Sequence, residues 1–310
     1  MKILVTGAAG YIGSTLVPML LDQGHSVTCV DNFMYQQVPL LDQCHRENFT
    51  MIRGDARDMS LMKDLVRSAD AILPLACLTG APICKADPIG ATSTNRDAIV
   101  NLLELKSSNQ ILIYPCTNSG YGVGQDGIFC DEKTPLNPIS LYGKVKVEAE
   151  SALLDSGHCV TYRFATVFGM SPRMRLDLLV NDFVYRAVND GVVVLFEGHF
   201  KRNFLHVRDA ARSFIHGIEN YSKMKGEPFN VGLSEANLSK IELCEAIKGE
   251  IPEFKFLLAP IGEDQDKRNY VVSNEKIEAT GFRTKTSLKA GVRELKMGYQ
   301  ILKRMQFGNA

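Results

Sequence analysis

Thr6-Gly7-Ala8-Ala9-Gly10-Tyr11-Ile12-Gly13 joins a short apolar run, Lys2 to Thr6, to a stretch with apolar residues at helical spacing, Ile12, Leu16, Met19 and Leu20. Strand, glycine-rich turn and helix in that order leave few folds open. The three glycines have separate uses: one permits a tight turn, one lets backbone approach a pyrophosphate, one lets helix pack on strand. Phosphates then meet the unpaired amides at the helix N-terminus. The spacing of Gly7, Gly10 and Gly13 is wider at its first step than the common G-x-G-x-x-G. Its placement between a strand and a helix is the context the motif demands. Gly7, Gly10, Tyr11, Ile12 and Gly13 are therefore expected to cradle a dinucleotide.

The strand and helix pattern repeats. Ser26 to Asp31, Phe49 to Arg53, Ala69 to Leu73, Gln110 to Tyr114 and Cys159 to Phe164 read as strands, with helices at Leu61 to Arg67, Ile89 to Lys106 and Tyr142 to Leu154. Near-continuous apolar strands alternating with helices predict an α/β fold with a doubly wound, parallel Rossmann sheet. After Gly169 the rhythm changes. Helical stretches at Leu176 to Val188 and Val207 to Asn220 interleave with short strands at Val192 to Leu195 and Glu227 to Val231. From Leu238 the chain reads as a small helical lobe closing with Leu288 to Met305. The expected division is a dinucleotide-binding core over 1–169 and a smaller C-terminal α/β substrate-binding lobe over 170–310, with returns to the core sheet allowed. Pro18 lies inside the first helix, a position that allows a kink and carries no functional expectation.

Composition narrows the function. Lys plus Arg and Asp plus Glu are both 35 of 310 residues, so no global field draws the chain to nucleic acid or an anionic membrane. An anionic ligand must be held by a few local groups. The eight cysteines are scattered without a C-x-x-C pair, and the six histidines without ligand spacing; neither a disulfide frame nor a metal site is expected. No apolar run approaches the roughly 20 residues of a membrane span. With no charged n-region or cleavage site ahead of the first strand, the expectation is a cytoplasmic protein.

Asp31 closes the second strand, where an acid can bond a ribose 2′-hydroxyl and repel a 2′-phosphate, which favours NAD. Asn32 beside it supplies no compensating arginine. Asp31 also fits a plain strand-end turn residue. Asp55, with Ala56 after the third strand, is placed to meet the adenine edge, or to cap a helix. Leu75 and Ala76, after the fourth strand, complete the expected cofactor contacts.

Tyr142 and Lys146 are four apart in a helical segment and so share a face. An ordinary phenol, pKa near 10, is a poor base at neutral pH, and an ammonium lowers it. Such a pair also occurs on any amphipathic helix. Its context is Tyr114-Pro115-Cys116-Thr117-Asn118-Ser119-Gly120-Tyr121-Gly122, a hydroxyl-rich turn after the fifth strand.

With the glycine turn, a Thr four residues before a Tyr-Gly pair, and the Tyr-x-x-x-Lys in order, the chain resembles the extended short-chain dehydrogenase/reductases that act on nucleotide sugars. The resemblance covers essentially the whole chain. It implies that Thr117 hydrogen-bonds the reacting sugar hydroxyl, Tyr142 takes its proton, and Lys146 holds the cofactor ribose and tunes Tyr142. Asn118 and Ser119 would lie against the sugar. Arg202 and Arg268 fall where the family places arginines on the substrate diphosphate, and Asn181 matches a position near it; each arginine also fits a surface ion pair.

Departures from the family pattern narrow the reaction. The 4,6-dehydratases carry Asp-Glu after the Ser or Thr, because eliminating water needs an acid and a base. Asn118 and Ser119 do neither. The epimerising type with a Cys and His pair would need a cysteine elsewhere than Cys116. Thr166 stands where UDP-galactose 4-epimerases have an asparagine. The segment Ser171 to Phe183, with Thr117 to Gly122, looks most like the GDP-manno-heptose 4-dehydrogenases of bacterial capsule pathways. This implies oxidation of the C4 hydroxyl of a nucleotide sugar, with a 2-keto acid as the co-oxidant that regenerates NAD. The alternatives are a nucleotide-sugar 4-epimerase and a non-catalytic, cofactor-sensing regulator. The family resemblance further implies a homodimer through Ile89 to Lys106 and Tyr142 to Leu154.

Overall fold

The computed structural model describes residues 1–124, 128–259 and 268–302. Seven parallel strands form its main sheet: β1 (Lys2–Thr6), β2 (Ser26–Asp31), β3 (Phe49–Arg53), β4 (Ala71–Pro74), β5 (Ile111–Thr117), β6 (Val160–Phe164) and β7 (Pro228–Val231). The spatial order is β7-β6-β5-β4-β1-β2-β3. Chain direction across the sheet therefore reverses between β1 and β4, and ligands of open α/β sheets bind outside the strand ends at such a point.

The strands are apolar on both faces because both faces are covered. On one side, α1 (Gly13–Asp22) and α6 (Val207–Glu219) bury Leu16, Leu20, Ala210 and Phe214. On the other, α2 (Met59–Ser68), α3 (Ala98–Leu105) and α4 (Leu141–Asp155) bury Met62, Val66, Ile99, Leu102, Ala149 and Leu153. The second lobe is built on α5 (Leu179–Asn189), α7 (Lys240–Glu250) and α8 (Leu288–Ile301), with a core that includes Val184, Leu243, Val292 and Phe168. After residue 170 the chain returns to the main sheet, where α6 covers one face and β7 forms an edge beside β6.

Several expected boundaries move for local reasons. Ala69 closes α2, so β4 starts at Ala71. β5 runs on to Thr117 because its pairing with β6 continues to Thr117↔Phe164. Pro115 lies beyond the last β4 partner, Leu112, where β5 has a neighbour on one side only, a setting that tolerates proline. The expected helix at Ile89 to Lys106 is divided into Pro88–Thr92, a π-helical turn at Ser93–Asp97, and α3. The C-terminal lobe is not only helical. Asn237–Ser239 pairs antiparallel with Lys201–His206, Lys255–Leu258 pairs with Val192–Leu195, and Val271–Val272 pairs with Phe129–Cys130. Strands of two to four residues are too short to show a two-residue period. The far end of the expected last helix, from residue 303, lies outside the described residues.

The helix bearing Tyr142 and Lys146 is held by a buried network. Ser140 caps α4 by accepting from the Gly143 amide. Farther along, Glu150, 1% exposed, accepts from Arg163 Nε at 2.9 Å and from Thr161 Oγ1 at 2.7 Å, both on β6. These bonds set the rotation and height of α4 on the sheet. Removing one member of a buried pair leaves the other charge uncompensated. Glu150→Gln should lower the unfolding free energy by about 3 kcal/mol in urea titration; an unchanged midpoint would mean the pair does not anchor the helix.

Candidate active site

One cavity of about 360 Å³ opens at the switch between β1 and β4. Its floor is the glycine turn. Gly7 has φ +65°, and a Cβ there would meet Ala76 N at 2.5 Å, so only glycine lets the turn lie against the end of β4. A Cβ on Gly13 would meet the Ala8 carbonyl at 2.5 Å, and one on Gly10 the Gly7 carbonyl at 2.9 Å. The compact turn exposes the start of α1 to the cavity. Gly7, Gly10, Tyr11, Ile12 and Gly13 all line it, as do Leu75 and Ala76 opposite.

Asp31 and Asn32 line the same end of the cavity. The Asp31 carboxylate accepts from the Ala9 amide at 2.9 Å and the Phe33 amide at 2.8 Å, one on each oxygen. Each oxygen keeps a lone pair for a ribose hydroxyl. Burial raises this carboxyl's pKa, while the two amides, Arg173 and Arg53 pull it down. Asp31 thus does turn work and faces the cavity at once. Asp55 and Ala56 also line the cavity. Asp55 is not the helix cap: Asp58 caps α2, accepting from the Ser60 and Leu61 amides. The Arg57 guanidinium instead holds the Asp55 carboxyl down to about 2.

The reactive groups stand at the other end. Thr117 at the tip of β5, Ser119 just after it, and Tyr142 and Lys146 on α4 all line the cavity. Thr117 Oγ1 donates to Ser119 Oγ at 2.9 Å and accepts from the Ser119 amide at 3.1 Å. Arg268 Nη1 donates to Ser119 Oγ, which brings that guanidinium to the hydroxyl pair. Lys146 is 3% exposed, with Nζ 4.0 Å from the centroid of the Tyr114 ring. Burial pushes the Tyr142 phenol up, the nearby thiols Cys77 and Cys116 add to this, and Arg175 is the cation that opposes it. Lys146, the cation that the sequence pairs with Tyr142, also rests on Tyr114, and Arg175 is a second cation that acts on the phenol from the other lobe.

Three expected contacts lie elsewhere. Asn181 is fully buried and does not line the cavity: it accepts from the Gly169 amide at 2.9 Å and donates to Arg175 O at 2.8 Å and to Tyr11 Oη at 3.1 Å. Its amide braces the protein's own backbone. Arg202, 5.6 Å from the centroid of Tyr270, donates to Lys201 O; among the described residues Tyr270 lines the cavity and Arg202 does not. Asn118, between Thr117 and Ser119 in sequence, is buried and does not line the cavity.

Cys77, Thr79, Tyr35, Arg173 and Arg175 line the cavity without having been singled out for a role there. The loop after β4 is fixed from an unexpected place. Within the π-helical turn, Asn95 points inward, accepting from the Leu78 amide at 2.8 Å and donating to Leu78 O at 2.9 Å. Such turns recur at functional sites because they push one side chain out of the helical ladder. Arg175 donates to Asp177 Oδ2 at 2.5 Å and to Thr79 O at 3.4 Å. The only sequence signal for these residues was the dense run of arginines in Arg173-Met174-Arg175.

A dinucleotide floor and a hydroxyl, phenol and ammonium set on one cavity suit redox chemistry on an alcohol. Known proteins agree. The chain is 29% identical to the low-salt glycan biosynthesis protein Agl12 of Haloferax volcanii, over 94% of this chain and 96% of that one. It is 28% identical to CDP-paratose 2-epimerase of Salmonella typhi, over 95% and 98% of the two chains. Its fold matches UDP-glucose 4-epimerase of Thermus thermophilus, solved in complex with NAD, with TM-score 0.82 at 24% identity over 97% and 99% of the two chains. The model of the NAD dependent epimerase/dehydratase family matches residues 3–232. The chain belongs to that family of enzymes, within the extended short-chain dehydrogenase/reductases, and NAD is its cofactor.

Proposed function

We propose that this enzyme oxidises the C4 hydroxyl of a nucleotide sugar to a 4-ketone, with GDP-manno-heptose as the substrate. The carrying observation is that Thr117, Tyr142 and Lys146 share the cavity with the glycine turn, while the turn after Thr117, Asn118–Tyr121, supplies no carboxylate. NAD supplies the two-electron acceptor for the C4–H bond. The protein's part is positional and electrostatic. Tyr142 removes the C4 hydroxyl proton, Thr117 aligns the oxygen, and Lys146 holds the cofactor ribose. Arg268, already on Ser119, faces the substrate side and suits a diphosphate oxygen. Asn118 and Ser119 carry neither the acid nor the base that eliminating water requires. The ketone is the end point of this half-reaction. A 2-keto acid is the co-oxidant in this reading, the active form is a cytoplasmic homodimer, and the dimer is made through Ile89 to Lys106 and Tyr142 to Leu154.

A second reading is a nucleotide-sugar epimerase, in which the ketone is reduced again on its other face. The relatedness to CDP-paratose 2-epimerase favours it. Thr166, on the short strand Thr166–Phe168, lines the cavity where the epimerase pattern has an asparagine, which favours the dehydrogenase.

Product analysis separates the two. Incubation with GDP-manno-heptose, then separately with UDP-galactose, should give from the heptose a product two mass units lighter, with a C4 ketone by NMR. An epimer of unchanged mass would sink the dehydrogenase reading. Tyr142→Phe should cut turnover by ~100- to 10,000-fold with NAD binding retained; near-normal turnover would remove Tyr142 as the base. Arg175→Met should move the rising limb of the kcat/KM pH profile to higher pH. The basic form of Tyr142 is the anion, and loss of the cation that stabilises it raises the pH at which it forms. A limb that stays put or falls to lower pH would contradict that account.

A further inference from the structure

Arg173 belongs to the C-terminal lobe by sequence, yet it lies at the dinucleotide end of the cavity. The segment around it is fastened to the first turn of α1. Tyr11 Oη donates to Gly169 O at 2.6 Å, Ser171 Oγ donates to Tyr11 O at 2.7 Å, and the Arg173 amide donates to Ser14 Oγ at 3.3 Å. From that anchored backbone the Arg173 side chain, 2% exposed as a residue, lines the cavity and lays its guanidinium 4.2 Å from the centroid of the Tyr35 ring.

Tyr35 reaches the same place from the loop after β2. Phe33 and Gln36, neither of them glycine, sit there at φ 55° and 54°. Left-handed backbone is unfavourable for such residues and persists where the surroundings impose it. Here Asp31 and Asn32 accept from the Phe33 and Met34 amides, and the Gln36 amide donates to Phe33 O at 2.9 Å. The bent loop sets Tyr35 on the cavity wall. Its hydroxyl is shielded from solvent and has no hydrogen-bond partner among the described residues.

We propose that Arg173 and Tyr35 are a clamp on the diphosphate of NAD, closing on it from the C-terminal lobe opposite the α1 N-terminus. The proposal rests on the cofactor and is independent of which sugar is oxidised. A guanidinium held flat against a ring keeps its donor edge free of rotation and matches phosphate oxygens. The amides at the start of α1 approach from the other side with the same sign of charge. The unpartnered Tyr35 hydroxyl supplies one more donor. The nucleotide sugar carries a diphosphate too, but the neighbours of Arg173, Ser14 and Tyr35, belong to α1 and the β2 loop. Arg175, two residues on, turns to Asp177 and Thr79 instead. The Arg-x-Arg pair thus divides between the cofactor end and the reaction end.

The test is calorimetric titration of NAD into cofactor-stripped enzyme, and of GDP into NAD-saturated enzyme, for Arg173→Ala, Arg173→Lys and Tyr35→Phe, with melting temperatures recorded. Arg173→Ala should weaken NAD about 10- to 100-fold, Arg173→Lys less, and Tyr35→Phe a few-fold, all with GDP affinity unchanged. If Arg173→Ala fails to fold, the other two variants decide. Unchanged NAD affinity in folded Arg173→Lys and Tyr35→Phe overturns the clamp. Loss of GDP affinity with NAD affinity intact also overturns it, by moving the arginine to the sugar nucleotide. Neither outcome depends on turnover, so failure of the C4 oxidation reading would leave this result standing.

Discussion

The hydrogen bonds that join the start of α1 to the segment Gly169–Arg175 hold the two halves of this enzyme in one geometry. Tyr11 Oη bridges Gly169 O and the Asn181 amide, and Ser14 and Ser171 share a hydroxyl contact at 3.0 Å. All are buried, so each broken partner would leave a polar group without water to replace it, at a cost of ~1–3 kcal/mol. The glycine turn and the wall facing it are therefore one rigid unit. Because Asn181 also binds the Arg175 carbonyl, the same network places a cation whose charge acts on the Tyr142 phenol.

That constraint explains why electrostatic roles fall where they do. Lys146 shares a helix with Tyr142, and spacing alone made it the natural partner. Its ammonium also lies on the aromatic face of Tyr114, where a desolvated cation gains about 2 kcal/mol. Arg175 arrives from the other lobe, tethered by Asp177, and supplies the charge across the cavity. A site assembled from both lobes acquires its charge pattern only when they meet.

The parts legible in the sequence are those governed by local chain geometry. A glycine turn after a strand, an acid at the end of β2, and a Tyr-x-x-x-Lys in a helix each declare themselves within a few residues, and Gly7, Asp31, Thr117, Tyr142 and Lys146 all face one cavity. What was illegible depends on contacts across the chain. Asn181 and Arg202 have the residue types of ligand-binding groups, but tertiary packing turns one onto backbone and sets the other beside Tyr270. Asn95 turns inward only because a π-helical turn interrupts an apparently continuous helix. The short strands of the second lobe, such as Val271–Val272, exist through their partners and leave almost no periodic trace.

In the reaction we propose, the carbon that is oxidised is C4 of the sugar. A nucleotide sugar carrying deuterium at C4 tests it most directly, in a single turnover with stoichiometric NAD and mass analysis of the cofactor. One deuterium should be recovered in the reduced cofactor, with a primary isotope effect on its appearance. Unlabelled reduced cofactor, with the deuterium still on the sugar, would contradict it.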